Sequence, residues 1–193
     1  MSERINSEKQ DIGNQDYIKA MENVEPLDAQ KAKERQYDRR IVTDGVNKDG
    51  EHLSLLRRLS SEKIRNTDVY NNRGKYIIFT EDGQEAGFIN VSVFNTRESD
   101  TVEIEYGSRE EFRNKGNITL ALREVLKDIF IDESFDGLPI KPFFPNTKIE
   151  KAFLAINADN HASQSVAEKS GFMQRENVYE ITKQGFLEQM HNS

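Results

Sequence analysis

The residues best suited to chemistry lie in two short stretches of this 193-residue chain. The first is Glu111-Phe112-Arg113-Asn114-Lys115-Gly116-Asn117. It stands between an alternating segment and a long run with helical apolar spacing. A basic, glycine-containing loop at a helix N-terminus is a natural anion site, because unpaired backbone N–H groups and the helix dipole converge there. Arg113 and Lys115 add charge suited to a pyrophosphate. Taken alone, the same residues also describe a polar turn in which Gly116 relieves strain and the cations are solvated. The second stretch runs from Asn157 through Asn160, Ser163 and Ala167 to Gly171-Phe172. It reads as a helix capped by Asn160 and stopped by Gly171.

These loops need elements to hold them. Thr101 to Gly107 alternates Val102, Ile104 and Tyr106 against Glu103 and Glu105, the pattern of a half-buried strand. Lys75 to Thr80 and Gln84 to Phe94 read as strands joined by a turn at Asp82-Gly83. The apolar positions Ile118, Ala121, Leu122, Val125, Leu126, Ile129 and Phe130 predict a helix over 117–131. Lys151 to Ile156 reads as a continuous apolar strand buried on both faces. The spacing of Leu53, Leu55, Leu56, Leu59 and Ile64 predicts an amphipathic helix over 52–66. Residues 173–182 read as one or two closing strands, with Phe186 and Leu187 in a tail. Three of the four prolines fall in 132–150, which reads as a long loop. The order describes an α/β (α+β) domain on a mostly antiparallel sheet with one parallel pair.

Composition divides the chain. All 11 Phe residues lie at or beyond Phe79. Residues 1–74 carry 14 acidic and 14 basic residues, so the net charge of −7 falls on the remainder. Residues 1–40 hold few strongly apolar positions and read as a polar arm, helical or mobile, ahead of a domain over 41–193. The acidic balance argues against a nucleic-acid partner. There are no Cys residues, which excludes thiolate chemistry and disulfides. His52, His161 and His191 have no metal-ligand spacing. No apolar run is long enough to span a membrane, and MSERINSEKQ has no apolar core for a signal sequence. The expected location is cytoplasmic.

Arg-x-x-Gly at a strand–helix junction, followed after the next strand by Asn-x-x-Ser-x-x-Val-x-Glu-Lys-x-Gly-Phe, resembles the GNAT superfamily of N-acetyltransferases. The second motif is most similar to the RimJ/RimL-like subgroup, which acetylates ribosomal-protein N-termini. The likeness spans roughly residues 75–182. It implies a mixed, twisted sheet in which strands 101–108 and 151–156 splay apart. The pantetheine arm of the co-substrate, acetyl-CoA, would lie in that gap. Backbone groups near Gly107 and Ser108 would bond the arm. The amides of Arg113, Asn114, Lys115, Gly116 and Asn117 would hold the pyrophosphate, and Asn160 would touch the arm.

Acetyl transfer needs a neutral amine, a donor for charge developing on the thioester oxygen, and a proton for the departing thiolate. A preorganised backbone N–H meets the second need. An α-amine, with a pKa near ~7.7–8.0, needs only a weak base, such as a carboxylate acting through water. Glu103 and Glu105 flank the implied thioester position, although either equally suits a solvated strand face. The tyrosine that many family members use as proton donor is replaced here by Ala167. Ser163 is the alternative donor, and it also suits a first-turn helix residue. Ile118 stands where the family usually has a small residue. It either points into the core or weakens the cofactor site. The insertion 132–150, with Phe135, Phe143 and Phe144, is either a substrate-side lid or a packing flap. Three functions follow: acetylation of a primary amine such as a protein N-terminal α-amine; acetylation of a small cationic amine (polyamine, aminoglycoside or amino acid); or a non-catalytic GNAT-like binding protein.

Overall fold

The computed structural model describes residues 39–63, 70–93, 101–134, 148–176 and 178–192. The arm expected over 1–40 lies outside these residues except for its last two, and so do Phe135, Phe143 and Phe144 of the expected insertion. The described strands are β1 (Arg39–Val42), β2 (Ser54–Lys63), β3 (Tyr70–Phe79), β4 (Glu85–Val93), β5 (Thr101–Ser108), β6 (Lys151–Leu154), β7 (Met173–Arg175) and β8 (Val178–Thr182). The helices are α1 (Asn117–Phe130), α2 (His161–Lys169) and α3 (Lys183–His191), with a single 3-10 turn at Glu110–Phe112. The strands form one sheet in the order β1-β2-β3-β4-β5-β6-β8-β7. Every pairing is antiparallel except β5 with β6. This is the expected α/β architecture with its one parallel pair.

Alternation builds the sheet's inner face. Ile89, Val91 and Val93 of β4 and Val102 and Ile104 of β5 are buried, while the residues between them are half-buried or exposed. The apolar stripe of α1 lies over that face as the spacing predicts. Each fully buried Leu or Ile of the stripe stabilises the fold by ~1.5–3 kcal/mol. Gly83, at φ 83°, supplies the left-handed turn residue of the β3–β4 hairpin.

Three expectations are corrected. The helix expected over 52–66 is instead β2 where it is described, and residues 64–66 lie outside the described residues. Leu53, Leu55, Arg57 and Leu59 all point inward, a period of two. The alternation was hidden because one inward residue, Arg57, is charged. Strand β6 is buried on one face, since Lys151 and Phe153 are only half-buried. The tail holding Phe186 is helix α3. The Thr182 hydroxyl accepts the Gly185 N–H at 3.0 Å, and the Phe186 ring packs 5.8 Å from that of Phe130.

Candidate active site

The loop Glu111–Asn117 is shaped by its backbone. The 3-10 turn ends where the Arg113 N–H meets the Glu110 carbonyl. Asn114 (φ 63°) and Gly116 (φ 84°) both adopt left-handed conformations. Gly116 is the N-cap of α1, and no side chain caps that terminus. The first-turn N–H groups of Asn117, Ile118 and Thr119 are therefore left for a ligand. A side chain at Gly116 would meet no atom closer than Lys48 Cγ at 3.8 Å, so the glycine is required by its backbone angle rather than by crowding.

The side chains of the loop divide. Arg113 is exposed, and its guanidinium has no partner among the described residues. Lys115 is engaged: its Nζ lies 2.9 Å from the Asp49 carboxylate and 5.5 Å over the Phe112 ring. The hydrogen bond and charge of Asp49 hold the lysine pKa above its ordinary value. Asn117 is buried, with Oδ1 accepting from Asn47 Nδ2 at 2.9 Å. Its own Nδ2 is buried without a partner.

Beside the loop, β5 and β6 pair for three residues only, Thr101↔Lys151, Val102↔Ala152 and Glu103↔Phe153. Beyond that rung lies a cleft of about 350 Å³. Glu103, Glu105 and Tyr106 line it from β5, Leu154 and Ile156 from β6 and its extension, and Asn160 and Ser163 from α2. Glu105 accepts a hydrogen bond from Asn90 Nδ2 at 3.2 Å across the sheet. Gly107 and Ser108 lie at the end of β5, past the cleft lining. There Gly107 is packed under Phe88, whose ring an added Cβ would meet at 2.7 Å.

On α2, the Asn160 side chain accepts the Ser163 N–H at 3.1 Å, so Asn160 caps the helix as the spacing predicts. Gly171, at φ 92°, is the left-handed residue after its C-terminus, and the Phe172 N–H returns to the Ala167 carbonyl. Ala167 is fully buried. Ile118 points into the core, so close to Gly87 that an added Cβ there would meet it at 3.2 Å. Of the two expected directions, it takes the one into the core.

One cleft residue escaped the sequence reading. Tyr106 appeared only as an apolar position of an alternating strand. Its hydroxyl donates to the Ser163 carbonyl at 2.9 Å, tying β5 to α2 across the cleft. Burial pushes its pKa up to about 12, so it stays protonated under ordinary conditions. Its one available signal was its place two residues from Ile104 on the strand that carries both carboxylates.

A family profile described as an acetyltransferase (GNAT) domain matches residues 21–173. Comparison with curated protein sequences gives no match. Similar solved structures include the spermidine N-acetyltransferase from Vibrio cholerae in complex with CoA and spermine, at 12% identity and TM-score 0.47, covering 60% of this chain and 68% of that one. The aminoglycoside acetyltransferase AAC(6')-Ib in complex with coenzyme A is 15% identical, TM-score 0.49, with 61% and 70% covered. RimL, the ribosomal L7/L12 alpha-N-protein acetyltransferase, in complex with coenzyme A, is 17% identical, TM-score 0.45, with 57% and 62% covered. No described helix is long and apolar enough to cross a membrane. With the family profile spanning most of its length, the chain belongs to the GNAT acetyltransferase family, whose co-substrate is acetyl-CoA.

Proposed function

We propose that this chain transfers an acetyl group from acetyl-CoA to a primary amine, with a protein N-terminal α-amine as the leading acceptor. The observation that carries the reading is the cleft opened where the β5–β6 pairing stops, beside a helix N-terminus that no side chain caps. Both fit the co-substrate. The uncapped amides and the Arg113 guanidinium suit a pyrophosphate. The buried, unpartnered Asn117 Nδ2 adds a donor at the same loop.

When bound, acetyl-CoA supplies an activated acyl group; transfer forms a C–N bond and breaks a C–S bond. This chain's residues handle the protons. Glu103 or Glu105 takes a proton from the ammonium group through water, which suffices for an α-amine near pH 7. Ser92, Ser163 and Tyr106 bring hydroxyls to the cleft lining, and position 167 carries no tyrosine. The Tyr106 hydroxyl is already committed to the Ser163 carbonyl at 2.9 Å, so we assign it to holding α2 in place and leave proton return to Ser163 or water.

A second reading, a small cationic acceptor, draws support from the two carboxylates that line the cleft and from the acidic balance of residues 75–193. The solved structures named for spermidine and aminoglycoside acetylation are consistent with it. The test is acetyl-CoA turnover, read by free-thiol release, against peptides, polyamines and aminoglycosides. Turnover with peptides alone supports the first reading. Salt-sensitive turnover with polyamines alone supports the second. No binding of CoA at millimolar concentration overturns both.

A further inference from the structure

We propose that the turn Asn47–Glu51 is a working part of the phosphate site, and that Lys48 is a positioning residue which presets the loop's amides for the pyrophosphate. The proposal rests on the acetyl-CoA reading and concerns a segment that the sequence motifs do not include.

The turn is rigid by its own bonds. The Asn47 N–H donates to the Glu51 carbonyl at 2.9 Å, and the Gly50 N–H to the Asn47 carbonyl at 3.1 Å. The Asn47 side chain is buried, and its Oδ1 accepts from the N–H groups of Asp49 at 2.9 Å and Glu51 at 3.0 Å. From this platform four contacts reach the loop. Lys48 Nζ donates to the Asn114 carbonyl at 2.6 Å, and the Lys48 N–H to the Lys115 carbonyl at 2.9 Å. Asp49 pairs with Lys115, and Asn47 Nδ2 donates to Asn117 Oδ1.

The consequence follows from peptide geometry. In a trans peptide the carbonyl of one residue and the N–H of the next point in opposite directions. Drawing the carbonyls of Asn114 and Lys115 toward the turn therefore directs the N–H groups of Lys115 and Gly116 away from it. Neither N–H has an acceptor among the described residues. The left-handed angles at Asn114 and Gly116 are of the kind that gather successive N–H groups into an anion-binding concavity. The first-turn amides of α1 continue the row. A loop holding a left-handed asparagine would otherwise have to be ordered when the ligand binds, and that cost is subtracted from affinity. Asp49 offsets the charge of Lys115, which leaves Arg113 as the loop cation without an internal counterion.

The test is calorimetric binding of CoA, dephospho-CoA and pantetheine to the full chain and its variants. Lys48 is exposed, and an unchanged melting temperature verifies that Lys48→Met folds. Lys48→Met should weaken CoA and dephospho-CoA alike, by about fivefold, the worth of one hydrogen bond. It should leave pantetheine, which has no phosphates, unchanged. Lys48→Arg should restore binding. The loss should persist at about 0.5 M salt, where a bare charge effect is screened. Equal CoA affinity in wild type and Lys48→Met overturns the proposal, as does a loss that disappears at high salt or extends to pantetheine. A wild-type chain that binds no CoA overturns the acetyl-CoA reading itself, and this proposal with it.

Discussion

The two ends of α1 treat their polar groups in opposite ways. At the C-terminal end, the Lys127 carbonyl accepts from the N–H groups of Ile131 and Asp132, and the Asp128 carbonyl from that of Ser134. The Asp128 carboxylate accepts from Arg57 Nη1 at 2.6 and 2.9 Å, from the Tyr76 hydroxyl at 2.6 Å and from the Ser134 hydroxyl at 2.8 Å, all of it buried. Burial, followed by the Asp128 charge, keeps the Tyr76 pKa well above its ordinary value, so that hydroxyl remains a donor. At the N-terminal end no side chain caps the helix, and consecutive amides stand without acceptors among the described residues. The lesson is a division of labour along one element. A satisfied, buried end fixes the helix on the sheet. That fixed helix can then hold an unsatisfied end ready for an anion, because its position no longer depends on the groups left unpaired.

The contrast is open to direct tests. The largest effect is expected at the satisfied end. Arg57→Met leaves the buried Asp128 carboxylate with only the half-exposed Arg39, 3.6 Å away, as a cation, and should cost up to ~3–5 kcal/mol of unfolding free energy in urea titrations. The CoA affinity of the folded fraction should change less than about twofold, because the loop's own bonds remain. A large loss of affinity would mean that the two ends are coupled and the division is false.

At the unsatisfied end the expectation reverses. Gly116→Val places a β-branched residue at a left-handed angle, a strain of ~1–2 kcal/mol. Because the same residue starts the row of amides, CoA affinity should fall by at least about tenfold while the chain still folds. Calorimetry beside a thermal melt separates the two quantities.

Tyr106 sharpens the comparison through pH. Its folded pKa, about 12, lies above the ordinary 10.0, chiefly because of burial. The folded state therefore holds this proton more tightly than the unfolded chain does. Its share of stability is intact below pH ~10 and is lost as the pH rises toward ~12. Unfolding midpoints at pH 9 and 11 should show the loss in wild type and a smaller one in Tyr106→Phe.

The smallest effect is expected at α2, whose N-terminus, unlike that of α1, is capped. Asn160→Ala removes the bond to the Ser163 N–H and should cost ~1 kcal/mol of stability. If the variant instead abolished turnover without a change in melting temperature, Asn160 would be acting on the co-substrate rather than as a cap.

Much of this arrangement was legible in residue types. The stripe from Ile118 to Phe130, the turn at Asp82-Gly83 and the Asn160–Gly171 helix depend on local spacing and on backbone angles that few residues adopt. What stayed hidden depended on distant partners. Arg57 broke the alternation of β2 because its reason for pointing inward, Asp128, lies 71 residues away. Helix α3 has a short apolar face, and only the Thr182 cap and the Phe186–Phe130 contact identify it. The pairing of Lys115 with Asp49 stayed hidden because Asp49 belongs to another loop.

By itself, then, the sequence determined the family, the helix that starts after the Arg113–Gly116 loop, and the glycines its angles require, since these follow from spacing along the chain. The tertiary structure alone decided which charges are left available. It turned Ile118 into the core, joined Tyr106 to Ser163 across the cleft, and tied the turn Asn47–Glu51 to the 113–117 loop. Charge and hydrogen-bond capacity belong to a residue, but whether they remain free for a ligand is decided by neighbours that only folding brings within 3 Å or so.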